Sequence, residues 1–129
     1  MTITADNAFQ LYHFGQSVLV NNQWNVASSV SLADACVLAV FAVHSADTFG
    51  ILASTSTGVV TDDTWKCSAE LAIDWHLASF DDAAWAQAQV LAPNDGSVWA
   101  FFAEISSEAK WIWAQDTSRS RAFCRKTLC

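Results

Sequence analysis

Short segments of β-type sequence recur along the whole chain and are separated by turn residues. Residues 9–14 alternate apolar and polar side chains before Gly15, which predicts a hairpin. Residues 36–43 form a continuous apolar run rich in Val, which predicts a strand buried on both faces. Strands at this spacing, with few helices, favour an all-β sandwich or jelly roll. Further strands are predicted at residues 50–57, 58–61, 97–105, 110–114 and 122–128.

Two segments carry helix signals. Residues 28–35 form a short one, and residues 81–89 begin at Asp81, a good N-cap residue, and continue as an Ala-rich run. We therefore expect one or two short helical turns in an otherwise β-rich fold. The 129 residues contain no linker or low-complexity segment, so residues 1–129 are predicted to form a single domain.

The charge of the chain limits its partners. A net charge of −7 argues against nucleic acids and anionic membrane surfaces. No segment approaches the roughly 20 consecutive apolar residues of a membrane span. The basic residues are uneven, because five of the six lie in the last part of the chain, and this predicts either a solvated strand edge or a contact with a small anion or a partner chain. They are Lys110, Arg119, Arg121, Arg125 and Lys126.

The four cysteines, Cys36, Cys67, Cys124 and Cys129, lack Cys-x-x-Cys spacing, which argues against zinc. An even number predicts disulfides formed in an oxidising compartment, with three internal connectivities open. We therefore expect a secreted, extracellular protein, present here in its mature form because residues 1–6 do not resemble a signal peptide. A bridge between subunits through Cys129 is a further expectation, which would give a disulfide-linked homo-oligomer.

Several motifs are spread over nearly the whole chain. They are ITADNAFQLY at residues 3–12, DACVLAV at 34–40, VTDDTWK at 60–66, FDDAAW at 80–85, AKWIW at 109–113 and FCRKT at 123–127. Together they resemble motifs of galactose-binding-like jelly-roll domains. Such domains include the N-terminal sandwich modules of α-L-rhamnosidase-type glycosidases and secreted marine invertebrate lectins.

The resemblance has departures. The last two motifs usually precede the ITADD strand in the glycosidase modules, Cys36 stands where Asn is usual, and we expect no catalytic domain beside the module. The resemblance implies a jelly-roll sandwich that binds carbohydrate. It also implies a Cys67–Cys124 bridge, which leaves Cys36 and Cys129 either joined to each other or used between chains.

Paired carboxylates occur at Asp62-Asp63 and Asp81-Asp82, and glycosidases need such pairs. Asp at the start of a turn commonly accepts backbone N–H groups instead, and we favour that role. Binding of calcium by these oxygens is an alternative, although no Asp-x-Asp-x-Asp-Gly loop is present. His13, His44 and His76 have no nucleophile-elbow Ser. We therefore predict no cofactor, no metal and no enzymatic activity.

Seven Trp residues offer material for a sugar site, because sugars need an aromatic face beside preset polar groups. Trp24, Trp65, Trp85 and Trp113 lie at motif or strand positions and are expected in the core. Trp75 and Trp99 are flanked by loops and are expected to be exposed, and loops commonly carry binding residues. The predicted ligand-binding residues are Asp62, Asp63, Trp75, His76, Asn94, Asp95 and Trp99.

These observations predict a lectin that binds terminal sugars without altering them. The resemblance favours an N-acetylhexosamine such as N-acetylglucosamine, or galactose. Linking subunits would raise the avidity of a weak, shallow site through effective concentration. An extracellular structural or adhesive module that binds protein is the alternative, and a glycosidase is the third hypothesis.

Overall fold

The computed structural model describes residues 1–129 and contains eleven β-strands and no helix. The strands form two antiparallel sheets, of order β4-β1-β6-β10-β9 and β3-β2-β5-β11-β7-β8. The predicted all-β sandwich is therefore confirmed. The strands are β1 (Thr2–Asp6), β2 (Ala8–His13), β3 (Gln16–Asn21), β4 (Ser28–Ser29), β5 (Val37–Val43), β6 (Gly50–Ser54), β7 (Lys66–Ser68), β8 (Ala86–Gln87), β9 (Gln89–Pro93), β10 (Lys110–Trp113) and β11 (Arg121–Thr127).

The main core lies between the two sheets. Alternate residues of β1, such as Ile3 and Ala5, point inward and meet inward residues of β5, such as Leu38 and Val40. The period of two along each strand places every second side chain on this inner face. The intervening residues, Thr4 and Asp6 on β1, therefore lie on the outer face of the five-stranded sheet. The long loops of the protein pack on the outer faces of the two sheets.

The predicted hairpin at Gly15 and the buried strand at residues 36–43 are confirmed as β2–β3 and β5. The helical turns expected in residues 28–35 and 81–89 are wrong. The first segment contains β4, and the second contains β8, which pairs with β7. Residues 97–105 form a loop rather than the expected strand, and after Gly58 only Val60 makes an isolated bridge. Tertiary pairing outweighs local propensity in such short segments.

Two disulfides lie within the chain. Cys67 and Cys124 are directly opposite each other on β7 and β11 and are bonded, as expected. Cys36 is bonded to Cys129, which decides between the two alternatives left open by the sequence. No cysteine is free, so the expected subunit bridge through Cys129 is not present. The bonds join residues 57 and 93 positions apart, and such long loops gain stability when closed.

A buried arginine fixes the long loop between β7 and β8 on the outer face of the six-stranded sheet. The Arg125 side chain is 1% exposed, and its Nη1 donates to the carbonyls of Trp75 and Leu77 at 2.6 and 3.1 Å. Its Nε lies 2.9 Å from Asp82, and its guanidinium lies 5.1 Å from the centre of the Phe80 ring. Four groups of one loop thus converge on one cation.

The remaining basic residues of the C-terminal part lie near the surface. Arg119 and Arg121 both approach Glu70, at 3.0 and 3.6 Å, which fits the predicted solvated strand edge. Lys126 donates to the hydroxyl of Thr64. No helix of the protein is long and apolar enough to cross a membrane.

The ion pair of Arg125 yields a matched test. Asp82→Ala leaves a buried guanidinium without its counter-charge, so we expect a loss of about 3 kcal/mol in the free energy of unfolding. Asp81→Ala removes only one turn hydrogen bond, to Ala83, and should cost below about 1 kcal/mol. Urea denaturation followed by circular dichroism measures both. Equal losses for the two variants would contradict the role assigned to Arg125.

Candidate functional site

The loop between β9 and β10 covers part of the outer face of the five-stranded sheet. Asn94, 2% exposed, organises it. Its Nδ2 donates to the carbonyls of Phe102, Ile105 and Ser106 at 3.0 to 3.3 Å, and its Oδ1 accepts from the Phe102 N–H. All the polar atoms of the Asn94 side chain are thus engaged inside the loop. Asn94 positions the loop and leaves nothing free for a ligand.

This loop brings Trp99 onto the sheet. The Trp99 ring stacks on the buried Trp111 ring of β10, with centroids 4.4 Å apart and planes inclined by 20°. Gly50 makes the arrangement fit, because a Cβ there would lie 2.7 Å from Cε3 of Trp111 and 3.4 Å from Cζ2 of Trp99. Trp99 is half-buried, so it is less exposed than the sequence predicted. Trp111 covers one face of the indole, so the area of Trp99 that remains exposed lies away from that face.

A carboxylate accompanies this indole. The Nε1–H of Trp99 donates to Oδ2 of Asp6 at 3.0 Å. Asp6 is 5% exposed and ends β1 on the outer face. Its other oxygen, Oδ1, has no donor from the protein and is not sealed from solvent. An indole fixed from behind therefore stands beside a carboxylate oxygen with free hydrogen-bonding capacity.

The loop that carries Trp24 contacts the same sheet face through its backbone. The carbonyl of Trp24 accepts from Oγ1 of Thr4, two residues before Asp6 on the same face of β1. Residues two apart in a strand are about 7 Å apart, so the Trp24 and Trp99 loops flank one short stretch of β1. The Trp24 side chain is 41% exposed, and its predicted place in the core is wrong.

Trp75 and His76 lie on the opposite sheet. The expected exposure of Trp75 is wrong, because it is 4% exposed and packs edge-on against Phe123 and Tyr12. The contacts of Arg125 with the backbone hold this part of the loop down. His76 is half-buried with its ring 4.8 Å from that of Tyr12, and its Nδ1 is sealed without a partner. The pair forms packing rather than an open stacking face.

The predicted carboxylates lie in loops, at or next to turns. Asp62 accepts from the N–H and the hydroxyl of Thr64, while Asp63 is exposed. Asp81 accepts from Ala83, and Asp82 is paired with Arg125. No three acidic, histidine or cysteine side chains converge on one point. The turn role favoured for these residues agrees with the contacts of Asp62 and Asp81, whereas Asp82 forms an ion pair and Asp63 accepts no hydrogen bond.

Asp95 lies at the exposed start of the Trp99 loop. Hydrogen bonds from the side chain and then the backbone of Ser97 lower the pKa of its carboxyl below the ordinary 3.8. Its contribution to stability is therefore present above pH 3.8 and is lost as the pH falls through the lower folded value. Asp95 and Trp99 share one loop, whereas Asp62, Asp63, Trp75 and His76 lie elsewhere.

The sequence analysis missed Asp6, Gly50 and Trp111. The outward position of Asp6 could have been predicted from the alternation along residues 2–6, because Ile3 and Ala5 point inward. The stack on Trp111 depends on a loop returning to the sheet, which no local pattern encodes. Of the four indoles predicted in the core, Trp65 and Trp113 are buried, as expected, and Trp85 is half-buried.

Comparison with protein-family models, with curated proteins and with solved structures gave no match. The site is therefore interpreted from its own chemistry.

The role of Asn94 can be tested against its neighbour. Asn94→Ala removes the hydrogen bonds that Asn94 makes inside the loop and leaves the Phe102 N–H and the Ile105 carbonyl without partners, so we expect a loss of about 2 to 4 kcal/mol in the free energy of unfolding. Asp95→Ala removes only exposed hydrogen bonds from Ser97 and should have a far smaller effect at neutral pH. Guanidinium denaturation followed by Trp fluorescence measures the difference. A similar denaturation midpoint for both variants would contradict the account of the loop.

Proposed function

We propose that the protein is a lectin, which binds a terminal sugar without altering it, at the surface formed by Trp99 and Asp6. The observation that carries the proposal is the half-buried indole stacked on Trp111 beside Oδ1 of Asp6, which accepts no hydrogen bond from the protein. The proposed ligands are an N-acetylhexosamine such as N-acetylglucosamine, or galactose. Both present an apolar face of ring C–H groups and a set of hydroxyls.

The indole supplies the apolar half of the recognition. Trp99 cannot rotate freely, because Trp111 supports one face and Asp6 holds the indole nitrogen. A rigid aromatic surface loses little conformational entropy when a ligand packs on it. Trp24, whose backbone carbonyl bonds to Thr4 on the same sheet face, is a further exposed indole on a neighbouring loop. This arrangement suits a small ligand with one apolar side.

The carboxylate supplies the polar half. Oδ1 of Asp6 can accept a hydroxyl proton, and hydrogen bonds to a charged acceptor are about twice as strong as neutral ones. The carboxylate is itself oriented by the Trp99 indole, so the acceptor and the stacking surface have a fixed geometry. A single carboxylate beside an indole offers binding groups without the acid and nucleophile pair of a glycosidase.

The two disulfides and the resemblance to galactose-binding-like jelly rolls support an extracellular location, which is part of the proposal. Oligomer formation, if it contributes avidity, needs non-covalent contacts, because both disulfides lie within the chain. The uncovered part of the six-stranded sheet supplies an apolar surface for such contacts, with a groove of about 190 Å³ lined by Phe9, Val20, Phe41 and Val43, among others.

The same groove favours a second candidate function, an adhesive module that binds another protein. Val20 is 63% exposed and Val43 36% exposed on this face. Exposed apolar surface of this kind marks protein contacts. A fluorescence titration separates the two functions, because a sugar on Trp99 alters indole emission, whereas a purely adhesive module does not respond to monosaccharides.

The lectin proposal predicts the effect of two substitutions. Trp99→Ala removes the stacking surface, and Asp6→Asn keeps an acceptor for the indole but places an amide where Oδ1 accepts. We expect each to raise the Kd for the preferred sugar by about tenfold or more. Isothermal titration with N-acetylglucosamine and galactose, after a glycan array has ranked terminal sugars, gives the values.

Trp85→Ala is the matched control, since it removes a half-buried indole from the other sheet. Its Kd should equal that of the wild type. Binding of no glycan at millimolar concentration would overturn the proposal. Unchanged affinity in Trp99→Ala would show that any sugar is bound elsewhere.

A further inference from the structure

A second cleft lies away from Trp99 and is lined by none of the residues assigned to the Trp99 site. It has a volume of about 610 Å³ and opens at the end of the sandwich where β5 begins and β6 ends. Clefts of roughly 300 to 1,000 Å³ are typical of small-molecule sites. Its walls come from β4 with the loop before β5, from the turn after β6, and from the segment that follows β11.

The lining is rich in hydroxyl groups. Five of its twelve residues carry a side-chain hydroxyl, one carries a carboxylate, and none is Lys, Arg or His. Hydroxyls both donate and accept, as do the hydroxyls of a sugar. The absence of basic side chains disfavours phosphate and carboxylate ligands. The polar lining residues are Ser29, Ser31, Asp34, Thr55, Ser56 and Thr57.

Part of this polar lining is unused by the protein. Thr55 and Thr57 bond to each other at 3.0 Å, and Ser29 bonds to Thr2 at 2.9 Å. Ser31, Asp34 and Ser56 make no hydrogen bond within the protein through their side chains. These three groups can therefore pair with a ligand without breaking any contact of the fold.

The remaining lining supplies an apolar floor held in place by a covalent bond. Leu38, 1% exposed, lies on β5, and Leu128 lies in the wall formed by the segment after β11, the strand paired with β5. The Cys36–Cys129 disulfide and the Leu128 N–H to Cys36 carbonyl bond, at 2.8 Å, join that wall to the start of β5. A cleft fixed in this way loses little entropy on binding.

We infer that this cleft is a second saccharide-binding site and that one chain is bivalent. The inference rests on the proposed lectin function and extends it. A neutral, polyhydroxylated ligand with one apolar side matches hydroxyls above leucine side chains, as it matches an indole beside a carboxylate at Trp99. Two sites on one chain supply the multivalency that was expected from a disulfide between subunits.

The test is a titration of the ¹⁵N-labelled protein with N-acetylglucosamine and with galactose, followed through amide and indole resonances. Two groups of signals should shift, one from residues 29–35 and 55–57 and one from residues 95–101 with the Trp99 indole. Ser56→Phe and, independently, Ser31→Phe fill the cleft without removing a contact. Each should raise the Kd at the cleft by about tenfold or more and leave the Trp99 curve unchanged.

Trp99→Ala should do the reverse, and Ser79→Phe, which adds the same ring at an exposed position of the β7–β8 loop, should alter neither curve. Shifts confined to the Trp99 group would overturn the second site while leaving the lectin proposal intact. Shifts confined to the cleft would overturn bivalency and the Trp99 assignment together. Absence of shifts with either sugar would overturn both proposals.

Discussion

The fold depends on satisfying the backbone polar groups of two long loops that lie on the sheets without forming helices or strands of their own. Buried carbonyls and N–H groups must find partners, and here two side chains supply them. Arg125 does so on the six-stranded sheet and Asn94 on the five-stranded sheet. Each side chain is almost fully buried and acts on several groups of one loop. The outer faces of the sandwich are therefore shaped by single polar residues.

This constraint explains why the two sheet faces differ in what they offer a ligand. Arg125 draws the backbone of Trp75 onto the sheet, and the indole becomes part of a small core with Phe123. Asn94 holds its loop from within, so Trp99 rests on Trp111 while remaining only half-buried. A tryptophan in a long loop is thus buried in a small core in the case of Trp75 and partly exposed at the surface in the case of Trp99.

Much of the fold could be predicted from the sequence, because the spacing of apolar segments is a local property. The hairpin at Gly15 and the buried strand β5 are examples. The site was less predictable. Trp75 and Trp99 have similar local surroundings in the sequence, and only the long-range contacts of Arg125 and Trp111 separate them. The outward position of Asp6 could have been predicted from the alternation of residues along β1. The hydroxyl-lined cleft could not, because it is formed by distant segments that carry no motif.

A lectin site at Trp99 requires that a sugar ring packs on the exposed surface of this indole with one hydroxyl bonded to Oδ1 of Asp6. Crystals of the protein soaked separately with N-acetylglucosamine and with galactose test it most directly. The account predicts density for at least one of these sugars against that indole, at hydrogen-bond distance from the carboxylate. A Trp99 surface left bare by both sugars, in crystals whose lattice leaves it open, would contradict the account.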